Sequence, residues 1–143
     1  MFGKCVWYQI ADTHKTNIIV KNFCEKFNFS FYFAHMTADY DIKKDFCKSE
    51  YEMVEGDYFV SSGKPHQSEH NGFFSIEQEY YLKSTPKQKY HVSLAYKNDI
   101  EFTKDELDFI YKAEIPELIE KKDIKIRLWN CNSRDPKHWK LFE

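Results

Sequence analysis

The chain has 143 residues, a formal net charge of −2 and a sequence pI near 6.3. That length suits one domain able to bury its own core, and the near-balanced charge gives no broad basic field, which argues against sequence-independent binding to long DNA. No apolar run approaches the ~20 residues that cross a bilayer, and "MFGKCVWYQIADTHK" lacks a basic stretch followed by a long apolar one, so the expectation is a monomeric cytoplasmic protein without a membrane partner.

Taken in chain order, "KCVWYQIA" (Lys4 to Ala11) is rich in strand formers and predicts a first strand. From Asp12 or Thr13 as cap, Ile19, Val20, Phe23, Cys24 and Phe27 recur at spacings of three and four, which predicts a helix with one buried face. "FSFYFAHMTADY" (Phe29 to Tyr40) reads as a second strand, and the charged stretch from Asp41 to Glu52 as a short helix or a loop. "DYFVSS" and "GFFSIEQEYYL" flank "GKPHQSEHNG", whose Gly, Pro, Asn and His content predicts a long hairpin connection. In the second arm Phe74, Ile76 and Tyr80 share one parity and Glu77 and Glu79 the other, as in a half-buried strand. "KYHVSLAY" (Lys89 to Tyr96) is another strand. "TKDE" (Thr103 to Glu106) is a capping box opening a helix through Leu107, Ile110 and Tyr111, stopped before Pro116. "DIKIRLWN" (Asp123 to Asn130) alternates as a strand, and "RDPKHWKLFE" closes with a turn and an apolar end.

Two strands in this order carry the same pattern. "HMTADY" begins at His35 and "HVSLAY" at His91, 56 residues on, and each reads histidine, any residue, hydroxyl, two residues, tyrosine. Residues two apart in a strand share a face, so His35 with Thr37, and His91 with Ser93, each present an imidazole and a hydroxyl roughly 6 to 7 Å apart. Side by side, the two strands would make a square of four polar groups. Such a set suits in-line displacement at phosphorus: one histidine takes the nucleophile's proton, the other protonates the leaving oxygen, and the hydroxyls bind the non-bridging oxygens. No metal or other cofactor is required for this. One such triplet in a strand is common by chance; two, placed alike in two similar half-units, are not. The tyrosines, at an odd offset, reach the same face only where a strand ends or bulges.

Other chemistries lack their residues. Cys5, Cys24, Cys47 and Cys131 have no CxxC spacing, and with only four glycines there is neither GxGxxG nor GxxxxGK[ST], so zinc knuckles, thioredoxin-like pairs, dinucleotide folds and P-loops are not indicated. His66 and His70 lie in a loop-like stretch beside Pro65 and do not read as a metal pair; a rim contact or plain solvated polarity is expected. His14 and His138 read as surface residues. Trp7, Tyr40, Phe74, Tyr96 and Trp129 are candidates to stack on a base, Lys43, Lys44, Lys87 and Lys89 to steer an anion, and Asp39 or Glu79 to orient a histidine. The bias toward Lys, Asn, Phe and Tyr is what AT-rich genomes encode, including those of many protists and large DNA viruses.

The two motifs, their placement after strand–helix–strand elements, and the length resemble the two-histidine (2H) phosphoesterases, the LigT-like or cyclic phosphodiesterase family. "CVWYQIA" is similar to the first strand of the eukaryotic cyclic phosphodiesterases, with Trp7 at the position of a tryptophan near substrate. "YHVSLAYKND" is similar to their second motif, including Tyr96, and "LWNCNSRDPKHWKLF" to their last hairpin, with Trp139 after a charged turn. The resemblance implies an α+β fold of two pseudo-symmetric lobes over residues 1–143, two antiparallel sheets forming a concave cleft with helices outside. It also implies metal-independent cleavage of phosphodiesters that involve a ribose 2′-oxygen: 2′,3′-cyclic phosphates, 2′-5′ oligoadenylates or cyclic signals such as 2′,3′-cGAMP. His35, His91, Thr37 and Ser93 would be catalytic, and Trp7, Tyr96 and Tyr40 would contact the small nucleotide or oligonucleotide. Both histidines should then face a solvent-filled cleft, and their loss should cost rate with little change in folding. The other reading is a module that holds RNA ends or nucleotides without cutting.

Overall fold

The computed structural model describes residues 2–143. Its eight strands are β1 (Lys4–Ile10), β2 (His35–Asp39), β3 (Tyr58–His70), β4 (Phe73–Leu82), β5 (Thr85–Asn98), β6 (Leu118–Glu120), β7 (Ile124–Asn130) and β8 (Lys140–Leu141). Two α-helices, α1 (Lys15–Phe27) and α2 (Lys104–Lys112), complete an α+β fold. Every strand pair is antiparallel, in the order β6-β3-β4-β5-β2-β1-β7-β8, and the sheet curls into a half-barrel. Two separate sheets were expected from the resemblance; instead one sheet runs through, joined at its middle by the β2–β5 pair.

The period-two pattern explains which face is which. On β1, Val6, Tyr8 and Ile10 pack with Val20, Phe23 and Cys24 of α1, and with Met36, Val92 and Leu94, in the main core. Cys5 and Trp7 point the other way, into a second, smaller cluster with Phe73, Trp129, Cys131 and Trp139. The helices therefore cover one face, and the aromatic cluster marks the other.

Several elements differ from expectation for local reasons. The cap of α1 is His14, whose Nδ1 accepts from the Thr16 amide at 3.1 Å, and the helix ends at Asn28 in the left-handed conformation (φ 59°). Asp12 and Thr13 lie before that cap, and His14 is a structural residue. The second strand begins at His35 rather than Phe29. Asn17 of α1 takes the place of a strand partner there, accepting from the Ala34 amide at 2.7 Å and donating to the Ile10 carbonyl at 2.6 Å. The stretch expected as a long connection is strand: β3 runs through Gly63 to His70, and the turn is only Asn71 and Gly72, both at positive φ (51° and 80°). Asn-Gly is the residue pair that such a two-residue turn favours. The Thr103/Glu106 capping box forms as read, and α2 ends at Lys112, before Pro116. Among the described residues no disulfide joins the cysteines; Cys47 is exposed, and Cys5, Cys24 and Cys131 are buried.

Candidate functional site

The two histidine motifs meet at the middle of the sheet. Met36 of β2 pairs with Val92 of β5, the central residue of one triplet against that of the other. In an antiparallel pair this register sets His35 across from Ser93 and Thr37 across from His91, with all four side chains on the face opposite Met36 and Val92. This register makes the expected square, its imidazoles on one diagonal and its hydroxyls on the other, and diagonal neighbours of this kind lie roughly 7 to 8 Å apart, somewhat less between Cβ atoms. All four residues line a single cleft of about 220 Å³.

Both tyrosines reach the cleft through bulges. Trp7 pairs with Thr37 but Val6 with Asp39, which leaves one extra residue, Ala38, on β2. Glu77 pairs with Ser93 but Ile76 with Ala95, which leaves Leu94 extra on β5. Each bulge falls between the hydroxyl and the tyrosine, so Tyr40 and Tyr96, at the odd offset, come out on the histidine side and line the cleft. Their phenols are pushed above the ordinary value by burial, while the Thr37 hydroxyl acts on Tyr40, and the Ser93 hydroxyl on Tyr96, in the opposite sense. Both stay protonated at neutral pH, so each phenol has an O–H to donate.

The histidines are unequal. His35 is 6 % exposed and its ring lies flat on Trp7, with centroids 3.3 Å apart and planes within 5°. Its Nδ1 is 2.7 Å from the Phe33 carbonyl, which only accepts, so Nδ1 carries the proton and Nε2 keeps its lone pair. Burial, reinforced by nearby His91, lowers its pKa to about 3, against the opposing pull of the Phe33 carbonyl. The solvent-filled surroundings expected for His35 are thus corrected: the ring is packed beneath a rim of aromatics. The His91 side chain is 39 % exposed, with Nε2 3.5 Å from the Glu77 carboxylate, an ion pair whenever the ring is protonated.

Trp7 does not offer a face to a base. It is sandwiched between the His35 imidazole and the Trp129 indole (centroids 4.4 Å, 16°), and Trp129 in turn donates from Nε1 to Gln9 Oε1 at 2.9 Å. Its role is to fix the His35 ring, and both stacking assignments, Trp7 and Trp129, are withdrawn. Phe74 packs against the main core, not the cleft. Asp39 accepts from the Tyr51 hydroxyl at 2.9 Å, and Glu79, although directly across from His91 in the register, turns its carboxylate to Lys89 at 3.4 Å, so the carboxylate paired with His91 is that of Glu77. Lys43 and Lys44 pair with Asp41 and Glu50 at the surface. Trp139 and Phe73 also line the cleft, and Trp139 is held by its Nε1 bond to the Ser133 carbonyl at 2.8 Å. Among the described residues no three His, Cys, Asp or Glu side chains are grouped as a metal ion needs, and no helix is long and apolar enough to cross a membrane.

The low proton affinity of His35 has a consequence for stability. In the unfolded chain the ring takes up a proton near 6.5, and in the folded chain only near about 3. Unfolding therefore binds a proton between those values, and this contribution, full above 6.5, is lost as pH falls. Denaturant titrations from pH 7.5 to 4.5 should show stability dropping by up to about 1.4 kcal/mol per unit from this group. The same series on His35→Gln should be flatter by that amount.

In comparisons with known proteins the chain matches no family model, no curated protein and no solved structure.

Proposed function

We propose that this protein is a phosphodiesterase of the two-histidine type, acting on nucleotide phosphodiesters that involve a ribose 2′-oxygen. The observation that carries this is the Met36–Val92 register, which sets two His-x-hydroxyl triplets on one face of one cleft. The sheet halves about that pair, with β1, β2, β7 and β8 on one side and β3 to β6 on the other, and this is the sense in which a two-lobed 2H architecture applies.

The inequality of the histidines assigns their roles. His35, neutral with a free Nε2, takes the proton from the attacking oxygen as the new P–O bond forms. His91, beside Glu77, gives its proton to the leaving oxygen as the old P–O bond breaks. Thr37 and Ser93, with the tyrosine hydroxyls, donate to the non-bridging oxygens, where charge concentrates in the transition state. With a 2′,3′-cyclic phosphate the nucleophile is water and a monoester results. With a 2′-5′ linkage the neighbouring 3′-hydroxyl attacks and leaves a cyclic phosphate. Base, acid and neutral donors are all side chains, so turnover needs no added metal.

A panel of 2′,3′-cyclic nucleotides, 2′-5′ oligoadenylate and 2′,3′-cGAMP in excess EDTA tests this directly, with turnover of at least one expected. One observation favours the other reading, a module that binds nucleotides without cutting: a base as buried as His35 holds a proton weakly. An anionic phosphate beside it raises that affinity, since opposite charge favours the protonated ring. Nucleotide binding without turnover across the panel, unaltered in His35→Gln and His91→Gln, would establish the binding module instead.

A further inference from the structure

The sequence spells a third histidine–hydroxyl triplet, His66-Gln67-Ser68, followed by His70, on the arm of β3. The sheet register brings it to the same face as the other two. His66 lies across from Glu77, Ser68 from Ser75 and His70 from Phe73. Glu77, Ser75 and Phe73 all line the cleft of His35 and His91, and so do Ser68 and His70 themselves.

This placement depends on a built irregularity. Between the Ser62–Glu79 and His66–Glu77 pairs, β3 carries two more residues than β4. Gly63 supplies the positive φ (68°), and the buried Gln78 amide donates to the carbonyls of Ser62 (3.3 Å) and Gly63 (3.1 Å). Without the two extra residues Lys64 would stand opposite Glu77 and His66 opposite Ser75, and His70 would fall beyond Phe73, off the cleft rows. The far end of the arm is pinned as well. Glu69 accepts from the Gly72 amide at 2.6 Å, while Arg134 Nη2 bonds the Asn71 carbonyl and Asp99 Oδ1, each at 3.0 Å. His70 is thus held on an anchored strand, and the histidines here serve neither a core nor a cap.

We propose that Ser68 and His70 form a second phosphate subsite, so that the preferred substrate is a nucleotide carrying at least one phosphate beyond the one cleaved. This rests on the phosphodiesterase reading above. Their strand is two places from β5, about 10 Å across the sheet, which leaves room for a nucleoside between the two phosphates. The donor types are those that flank the reacting phosphorus, an imidazole N–H and a hydroxyl, without the paired acid that would make the site a proton donor. A mononucleoside cyclic phosphate would leave the subsite empty.

The test uses one nucleoside 2′,3′-cyclic phosphate with and without a 5′-phosphate. Wild-type protein should favour the 5′-phosphorylated form by about tenfold in kcat/KM and in equilibrium affinity, the worth of roughly one charge-assisted hydrogen bond. In the Ser68→Ala/His70→Ala double variant that ratio should fall to near one. A wild-type ratio near one, or a ratio unchanged in the variant, would overturn the subsite while leaving hydrolysis standing. Failure to hydrolyse either compound would count against the phosphodiesterase instead, and the affinity ratio would still decide the subsite.

Discussion

Replacing His91 or His35 by glutamine is expected to lower kcat on any substrate turned over by wild type by roughly 10²- to 10⁴-fold each. Glutamine keeps most of the volume and a hydrogen-bonding end, but it neither accepts nor gives the proton. The double variant should be little slower than the worse single one, because an acid and a base that act in one step do not contribute additively. The two singles should part company in folding. The His91 side chain is 39 % exposed and its loss should leave the melting curve almost unmoved. His35 fills a buried place under Trp7, so its replacement should also lower the midpoint. The acidic limb of the pH–rate profile should be absent in His35→Gln, measured on whatever residual rate remains. Equal, small losses of rate in both variants would remove the acid–base assignment.

Replacing Trp7 by alanine is expected to be the most destabilising single change in the cleft, by about 3 to 5 kcal/mol. Trp7 is 1 % exposed and lies in a stack of three rings, His35, Trp7 and Trp129, with Trp139 against its edge (5.7 Å, 74°). Trp7 is the largest of the fully buried side chains, and the cavity left behind cannot close from a rigid sheet. At about 2 to 4 °C per kcal/mol for a chain of this size, the melting midpoint should fall by roughly 10 °C. Activity at temperatures where the variant remains folded should also fall, since the His35 ring loses the surface that holds it flat. Trp7→Phe should recover most of the stability and part of the rate. If Trp7→Ala lost affinity for nucleotide but kept its midpoint, Trp7 would be a substrate platform after all.

The face shared by His35, Thr37, His91 and Ser93 was legible because strand periodicity is local: residues two apart point together wherever the strand goes. That the two triplets would pair was legible only as a possibility, since the Met36–Val92 register joins residues 56 apart and no local signal encodes it. The tyrosines needed bulges, and Ala38 and Leu94 are ordinary residues in an ordinary run, with no glycine to mark either one. Glu77 could not be told from Glu79, because both share the cleft parity and only the cross-strand diagonal decides which meets His91. The arm was misread for a chemical reason. Gly63 and Pro65 look like loop residues, yet here they form a bulge within a continuing strand, and the Asn71–Gly72 pair was the true turn signal. Trp7 was misjudged because its residue type suits base stacking and core packing equally, and burial is a tertiary fact.

The most direct measurement is a crystal structure of the protein with a nucleoside 2′,3′-cyclic vanadate, a five-coordinate mimic of phosphoryl transfer. The vanadium should sit in the cleft between Nε2 of His35 and the His91 imidazole, with the Thr37 and Ser93 hydroxyls on its equatorial oxygens. Vanadate bound away from these groups, or touched by one imidazole while the other turns aside, would contradict the shared site.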